Sequence, residues 1–103
     1  MTTQYQIISW RDIPAQVKVR TGRQRSSKPL SERFISAIDE AAMRAGKTGS
    51  DEYIAEWRNG DWQEQEGDLE EIAATLVADL EAAYSNERLQ KLIEQKGREK
   101  QEE

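Results

Sequence analysis

The stretch RTGRQRSSKPLSERFISAIDEAAMRAG, residues 20–46, decides how this chain folds. Its first half is basic and rich in turn-forming residues, and its second half has the start and stop signals of a helix. Ser31 is a good N-cap residue, and Gly46 is a good residue for the position just after a helix. The sequence therefore predicts a helix from about Ser31 to Ala45, with several cations beside its N-terminus.

A two-stranded ribbon precedes this helix. Residues 5–10 are rich in β-forming side chains, and residues 16–21 alternate with period two, so that Val17 and Val19 face one way and Lys18 faces the other. Two strands alone are marginally stable in water. We therefore expect the helix to cover the apolar face of an antiparallel hairpin. A third strand over residues 22–25 is an open alternative, because that segment is polar.

The predicted helix carries an apolar stripe at helical spacing, formed by Phe34, Ile35, Ile38, Ala41, Ala42 and Ala45. Further segments follow it. In chain order they are a helix over residues 50–59, an acidic connector over 61–67, a helix over 68–84, a helical continuation over 87–95 and a charged tail over 96–103 that we expect to fray. Asp68, with Glu71 three residues later, forms a capping-box pattern at the start of the third helix.

These patterns predict an α+β fold. An N-terminal antiparallel β-hairpin, or three strands if residues 22–25 join it, packs against two helices, and a C-terminal helix or helix pair follows. We divide the chain into an α+β domain over residues 1–66 and a C-terminal helical extension over residues 67–103. Because the chain has few apolar residues for three faces, the C-terminal helices either complete the core or dock on another chain.

Composition removes several function classes. The chain has neither cysteine nor histidine, which excludes disulfides, thiolate nucleophiles, Ser-His-Asp triads and the usual zinc or haem ligands. No apolar run approaches the roughly 20 residues of a membrane span, and the N-terminus lacks the features of a signal peptide. We expect a cytoplasmic protein that is not an enzyme, with no metal, no cofactor and no membrane contact.

Charge is distributed unevenly. The net charge is −5, but residues 1–30 carry six cations and one carboxylate, so that the remainder carries −10. Four of these cations, Arg20, Arg23, Arg25 and Lys28, precede the predicted helix and form the candidate anion-binding site. The alternative is a solvated basic loop that protects an edge strand from aggregation.

A second candidate site consists of aromatic residues and one arginine. Tryptophan and arginine are frequent hot spots of protein interfaces, so Trp10, Arg11, Trp57 and Trp62 are the candidate partner-binding residues. The alternative for Trp10 is that it covers one end of the core, with Arg11 paired to Asp12 in the turn. The alternative for Trp57 and Trp62 is that they pack the second helix against the hairpin.

Three blocks resemble a small bacterial family known only as a virulence factor domain: YQIISWRDIPAQVKVR, KPLSERFISAIDEAAMRAG and TGSDEYIAEW. The resemblance covers about residues 4–62. It implies no established reaction. It does imply a module that occurs beside helical repeats in some relatives, and in others a small accessory subunit encoded near folate- or corrinoid-dependent one-carbon enzymes.

The sequence thus leads to two functional hypotheses. The first is a non-enzymatic accessory module that binds a protein partner, with a folate- or corrinoid-linked one-carbon enzyme as the candidate, or that forms a homo-oligomer. The second is a binder of an anionic ligand, such as a phosphorylated metabolite, polyglutamyl folate or nucleic acid, through residues 20–28. Nucleic acid is disfavoured because the chain is acidic overall and the basic segment is short.

Overall fold

The computed structural model describes residues 2–47 and 49–99, and within them the chain forms an antiparallel sheet and four helices. The elements are β1 (Thr2–Trp10), β2 (Ile13–Thr21), β3 (Gln24–Pro29), α1 (Glu32–Arg44), α2 (Ser50–Ala55), β4 (Trp57–Asn59), β5 (Gln63–Glu66), α3 (Leu69–Ala83) and α4 (Asn86–Glu94). The predicted α+β class is confirmed.

The sheet has the order β3-β2-β1, and β4 and β5 both pair with the far edge of β1. The predicted hairpin is confirmed, with Tyr5 opposite Val19 and Ile7 opposite Val17. A third strand is present, but it spans Gln24–Pro29, and residues 22 and 23 of the segment considered for it form the turn instead. It forms the edge of the sheet next to β2.

Two predictions after α1 are wrong. The second helix ends at Ala55, and residues 57–59 form β4 instead of continuing it. Residues 63–66 of the acidic connector form β5, although all four are exposed. Both strands are held by backbone pairing with β1, with Trp10 opposite Trp57 and Gln4 opposite Glu64. Backbone pairing of this kind needs no apolar alternation in the added strand.

The helices contribute the rest of a core with two buried clusters. One contains Trp10, Ile13, Ala15, Leu30, Phe34, Ala37, Ile38, Ala41, Ala42, Leu89, Leu92 and Ile93. The other contains Val17, Val19, Leu69, Ile72 and Ala73. Val77 and Leu80 of α3 pack against both clusters and connect them. On α1 four residues of the predicted stripe are buried, namely Phe34, Ile38, Ala41 and Ala42. Ile35 is exposed, Ala45 is half-buried just after the helix, and Ala37 is buried although it was not predicted.

The C-terminal helices therefore bury apolar residues against the sheet and α1. α4 packs against α1, and α3 packs against β2 and β3. The division between residues 66 and 67 stays a prediction. No helix within residues 2–47 and 49–99 is long and apolar enough to cross a membrane.

The segment after α4 is attached to the turn between β1 and β2. The Asp12 amide donates to the Gly97 carbonyl (2.8 Å), and the Glu99 amide donates to the Asp12 carboxylate (2.7 Å). Gly97 is buried. The predicted fraying is therefore wrong for residues 96–99, and residues 100–103 lie outside the described part of the chain.

Candidate functional site

The face of the sheet that points away from the helices carries a row of cations. Val17 and Val19 of β2 are buried on the helical side, so that the alternate residues Lys18 and Arg20 lie on the opposite, outer face. Directly opposite residues of an antiparallel pair share a face. Arg25 lies opposite Arg20, and Ser27 lies opposite Lys18. The outer face of β2 and β3 is therefore basic.

Arg20 and Arg25 belong to a close cross-strand pair. The Leu30 amide donates to the Ala15 carbonyl (2.9 Å), so these two opposite residues form a hydrogen-bonded pair. Hydrogen-bonded and non-hydrogen-bonded pairs alternate along an antiparallel ladder, and Arg20 is an odd number of residues after Ala15. The pair formed by Arg20 and Arg25 is consequently a non-hydrogen-bonded one, in which opposite Cα atoms are only about 4.5 Å apart. Two like charges in this arrangement destabilise the sheet locally.

Arg20 is held in place by two neighbours. Its guanidinium carbon lies 3.8 Å from the centroid of the Trp62 ring, which is a cation–π contact. Its Nε donates to the Gln4 side-chain oxygen (2.7 Å). Within the described residues no hydrogen bond or ion pair involves its two terminal nitrogens. The guanidinium is thus oriented while two of its nitrogens stay available for a carboxylate or a phosphate.

Trp62 reaches this position because the loop between β4 and β5 is fixed to β1. The Gly60 amide donates to the Ile7 carbonyl (3.0 Å), and the Gln6 side chain donates to the Gly60 carbonyl (2.8 Å). A Cβ at Gly60 would lie 3.1 Å from the Ile7 carbonyl oxygen. The close approach of this glycine to β1 therefore positions the tryptophan.

Together these residues line a groove of about 320 Å³, formed by Lys18, Val19, Arg20, Arg25, Ser26, Ser27 and Trp62. We call it the basic groove. In the described part of the chain none of its three cations forms an ion pair. Its chemistry fits an anionic group bound by arginine, lysine and hydroxyl donors beside an aromatic ring.

The four predicted anion-binding residues do not form one cluster. Arg20 and Arg25 line the basic groove, and Arg23 is exposed in the turn between β2 and β3. Lys28 instead pairs with Glu70 of α3 at 3.2 Å, with both side chains partly exposed. Lys18 was missed as a site residue, although the period-two pattern of β2 places it on the same face as Arg20.

The N-terminus of α1 is occupied by a carboxylate of the protein itself. The amide and hydroxyl groups of Ser31 donate to Glu81 (2.7 and 3.0 Å), and Arg33 pairs with Glu81 at 3.1 Å. Burial opposes ionisation of Glu81, but these hydrogen bonds and the Arg33 charge outweigh it and lower the pKa of the carboxyl. The basic groove is therefore separate from the helix N-terminus.

The four predicted partner-binding residues also lie in different environments. Trp10 is fully buried and donates to the Tyr53 carbonyl (3.0 Å). Arg11 is buried and donates to the Lys96 carbonyl (2.8 Å). Trp57 is half-buried and packs edge-on against the Tyr53 ring. Of the four, Trp62 is the residue that lines the basic groove.

Comparison with known proteins identifies the family. A sequence profile of the family described as "Virulence factor" matches residues 8–93. The chain belongs to this family. The match extends through α4, beyond the residues 4–62 that carry the sequence resemblance, so the C-terminal helices are part of the family unit.

Within the parts of the chain that the structure describes, no group of three or more acidic residues is placed to hold a metal ion.

A curated relative shows how this unit occurs elsewhere. The chain is 35% identical over 85 residues to the uncharacterized protein YpgR of Bacillus subtilis (strain 168), and the aligned part is 80% of this chain and 20% of YpgR. The chain thus spans about a fifth of the length of this relative. No solved structure matches the chain.

Proposed function

We propose that this protein is a non-enzymatic interaction module that binds a partner protein through the basic groove. The observation that carries the proposal is the pair of arginines, Arg20 and Arg25, which lie opposite each other on β2 and β3 and line one groove without an ion-pair partner among the described residues. A carboxylate between them would replace like-charge repulsion by two charge-assisted hydrogen bonds. Binding of an acidic group thus offsets a local electrostatic cost of the fold.

The surroundings of this pair support a protein partner. Arginine and tryptophan are enriched among the residues that dominate interface energies, and Trp62 is half-buried beside Arg20. Residues 31–103 carry −10, whereas residues 1–30 carry +5. This contrast would direct an acidic segment to the β2–β3 part of the outer face, because Glu64 of β5 lies on the β5 side of the same face.

The family relationship also supports a module. In YpgR the aligned part makes up a fifth of the chain, so a similar unit occurs within a longer protein. The resemblance stated above suggests a one-carbon enzyme that uses folate or a corrinoid as the partner.

A small anionic ligand is the second candidate function. The groove volume of about 320 Å³ lies at the lower end of the range for small-molecule sites. A phosphorylated metabolite or the glutamyl tail of a folate would fit the same arginines. Competition distinguishes the two functions, because a ligand that fills the groove at physiological concentration would displace a partner segment.

The test begins with affinity purification and ends with a titration. A partner recovered in stoichiometric amount with the wild-type protein is purified and titrated against wild type, the double variant Arg20→Ala/Arg25→Ala and the control Arg44→Ala. Arg44 is exposed at the end of α1, in the helical layer. We expect the double variant to weaken binding by at least about tenfold and to reduce its salt dependence, with no change for the control. Equal affinity of all three proteins for every recovered partner would contradict the proposal.

A further inference from the structure

We infer that the partner supplies an extended acidic segment that pairs with the free edge of β3 as an additional strand. This inference rests on the proposed function and specifies the chemistry of the partner. β3 is the terminal strand of the sheet, and β2 is the strand it pairs with in the described part of the chain. Addition of a strand to such an edge is a common mode of peptide recognition.

The backbone of β3 has its unused groups on the outer edge. Because the Leu30 amide points to β2, alternation along the strand directs the amides of Ser26 and Lys28 to β2 as well. The amides and carbonyls of Arg25 and Ser27 then point away from the sheet. Pro29 belongs to this second set, where a residue without an N–H leaves the β2–β3 ladder intact.

The same alternation sets the side-chain pattern of the incoming strand. Arg25 and Ser27 have their side chains on the outer face, in the basic groove. Partner residues directly opposite them would place their side chains on that face too. Every second residue of the partner segment is therefore acidic, and these carboxylates lie beside Arg25, with Arg20 one strand further in.

Charge complementarity selects this occupant over a second copy of β3. The edge strand reads QRSSKP and contains two cations and no carboxylate. Two such edges would bring like charges into register, which is a known device against edge-to-edge association. An acidic strand removes that repulsion and gains the same backbone hydrogen bonds.

The test uses a short synthetic peptide in which glutamate alternates with threonine, labelled for fluorescence anisotropy. A peptide of the same composition with its glutamates in one block is the charge control. On the protein side, Ser27→Pro removes an outward N–H, whereas Ser27→Ala removes the hydroxyl and keeps that N–H. We expect Ser27→Pro to bind the alternating peptide about tenfold more weakly than Ser27→Ala, because both variants lack the groove hydroxyl and only Ser27→Pro lacks the outward N–H.

The outcomes separate this inference from the proposed function. Preferential binding of the alternating peptide, lost with Ser27→Pro and with Arg25→Glu but kept with the control Arg44→Glu, supports strand addition. Equal binding of the two peptides, or equal affinity of Ser27→Pro and Ser27→Ala for the alternating peptide, overturns it. If Ser27→Pro does not fold, methylation of alternate amides of the peptide makes the same test. A purified partner that still depends on Arg20 and Arg25 but ignores Ser27→Pro would overturn the strand model and leave the proposed function intact.

Discussion

Gly97 lies against the indole ring of Trp10. A Cβ built on Gly97 would be 2.9 Å from Cζ3 and 3.2 Å from Cε3 of the tryptophan, and the backbone of Gly97 has φ +88°. Trp10 is fully buried. The absence of a side chain at residue 97 therefore lets the segment after α4 close over the end of the core.

This contact predicts the effect of Gly97→Ala. The substitution adds a methyl group inside the contact distance of a buried ring and forces alanine into a left-handed conformation, so we expect a loss of about 2–4 kcal/mol in the free energy of unfolding. Gly46→Ala is the matched control, because Gly46 has φ +72° but no atom within 4 Å of its Cβ position. It should cost about 1 kcal/mol. Urea unfolding followed by tryptophan fluorescence measures both, and equal losses would show that the Trp10 contact is unimportant.

Arg11 connects the same turn to two other parts of the chain. Its side chain donates to the Lys96 carbonyl (2.8 Å), and its Nε lies 3.4 Å from a Glu56 carboxylate oxygen. We expect Arg11→Ala to destabilise the protein by about 2–3 kcal/mol, since it leaves a carbonyl and a largely buried carboxylate with fewer donors.

The control for Arg11 uses the same carboxylate. Arg98 approaches Glu56 at 3.9 Å but is 41% exposed, so Arg98→Ala should change the unfolding free energy by less than about 0.5 kcal/mol. Chemical denaturation of both variants measures the two changes in unfolding free energy. Similar small effects for the two substitutions would mean that the contacts of Arg11 contribute little to stability.

Part of this fold could be predicted because local patterns and tertiary contacts agree. The period-two pattern of β2 matches its buried Val17 and Val19. The capping signal at Asp68 corresponds to a side chain that accepts hydrogen bonds from the amides of Glu70 and Glu71. In these elements the side chains themselves determine the structure.

The rest depends on pairing that leaves no local signal. β5 is Gln63–Glu66, four exposed polar residues that pair with β1 through the backbone. The position of Trp62 beside Arg20 follows from that pairing, so the sequence could suggest both residues as functional but could not bring them together. Trp10 is buried beyond a register shift between Ile8 and Ser9, which simple alternation does not predict.

Glu81 predicts a pH dependence of stability. Its pKa is lowered from the ordinary 4.5 because the Ser31 and Arg33 interactions outweigh burial. Ionised Glu81 therefore stabilises the fold above pH 4.5, and this contribution is lost as the pH falls below 4.5 through the lower folded-state pKa. The free energy of unfolding of wild type should thus exceed that of Glu81→Gln near neutral pH, and the difference should shrink toward acidic pH.

Denaturant unfolding over a pH series measures this difference. Glu40→Gln, an exposed change on α1, controls for the loss of one negative charge. A constant difference between wild type and Glu81→Gln over the whole series would contradict the assigned role of the carboxylate.

The stack of Arg20 on Trp62 predicts energetic coupling between the two residues. The 3.8 Å separation at a half-buried site corresponds to about 0.5–1 kcal/mol. Single variants Arg20→Ala and Trp62→Ala and the double variant form a cycle in which the two losses of stability should not add. Additive losses would show that Trp62 does not hold the guanidinium.

Because Arg20 and Arg25 lie opposite each other, we predict that an acidic substitution at Arg25 raises the stability of the free protein and weakens binding of the partner. Arg25→Glu converts the like-charge pair with Arg20 into an opposite-charge pair, so the free protein should gain about 0.2–1 kcal/mol in low salt. The gain should decrease at high salt, because Arg25 is exposed and the pair is screened. The same substitution should abolish binding of an acidic partner segment, since the carboxylate introduced at residue 25 then pairs with Arg20. Arg23→Glu, which changes the neighbouring turn cation by the same charge, separates this pairing from a general change in net charge. A loss of stability with Arg25→Glu in low salt would mean that the two guanidinium groups do not repel each other in the free protein, and the electrostatic argument for an acidic partner would then fail.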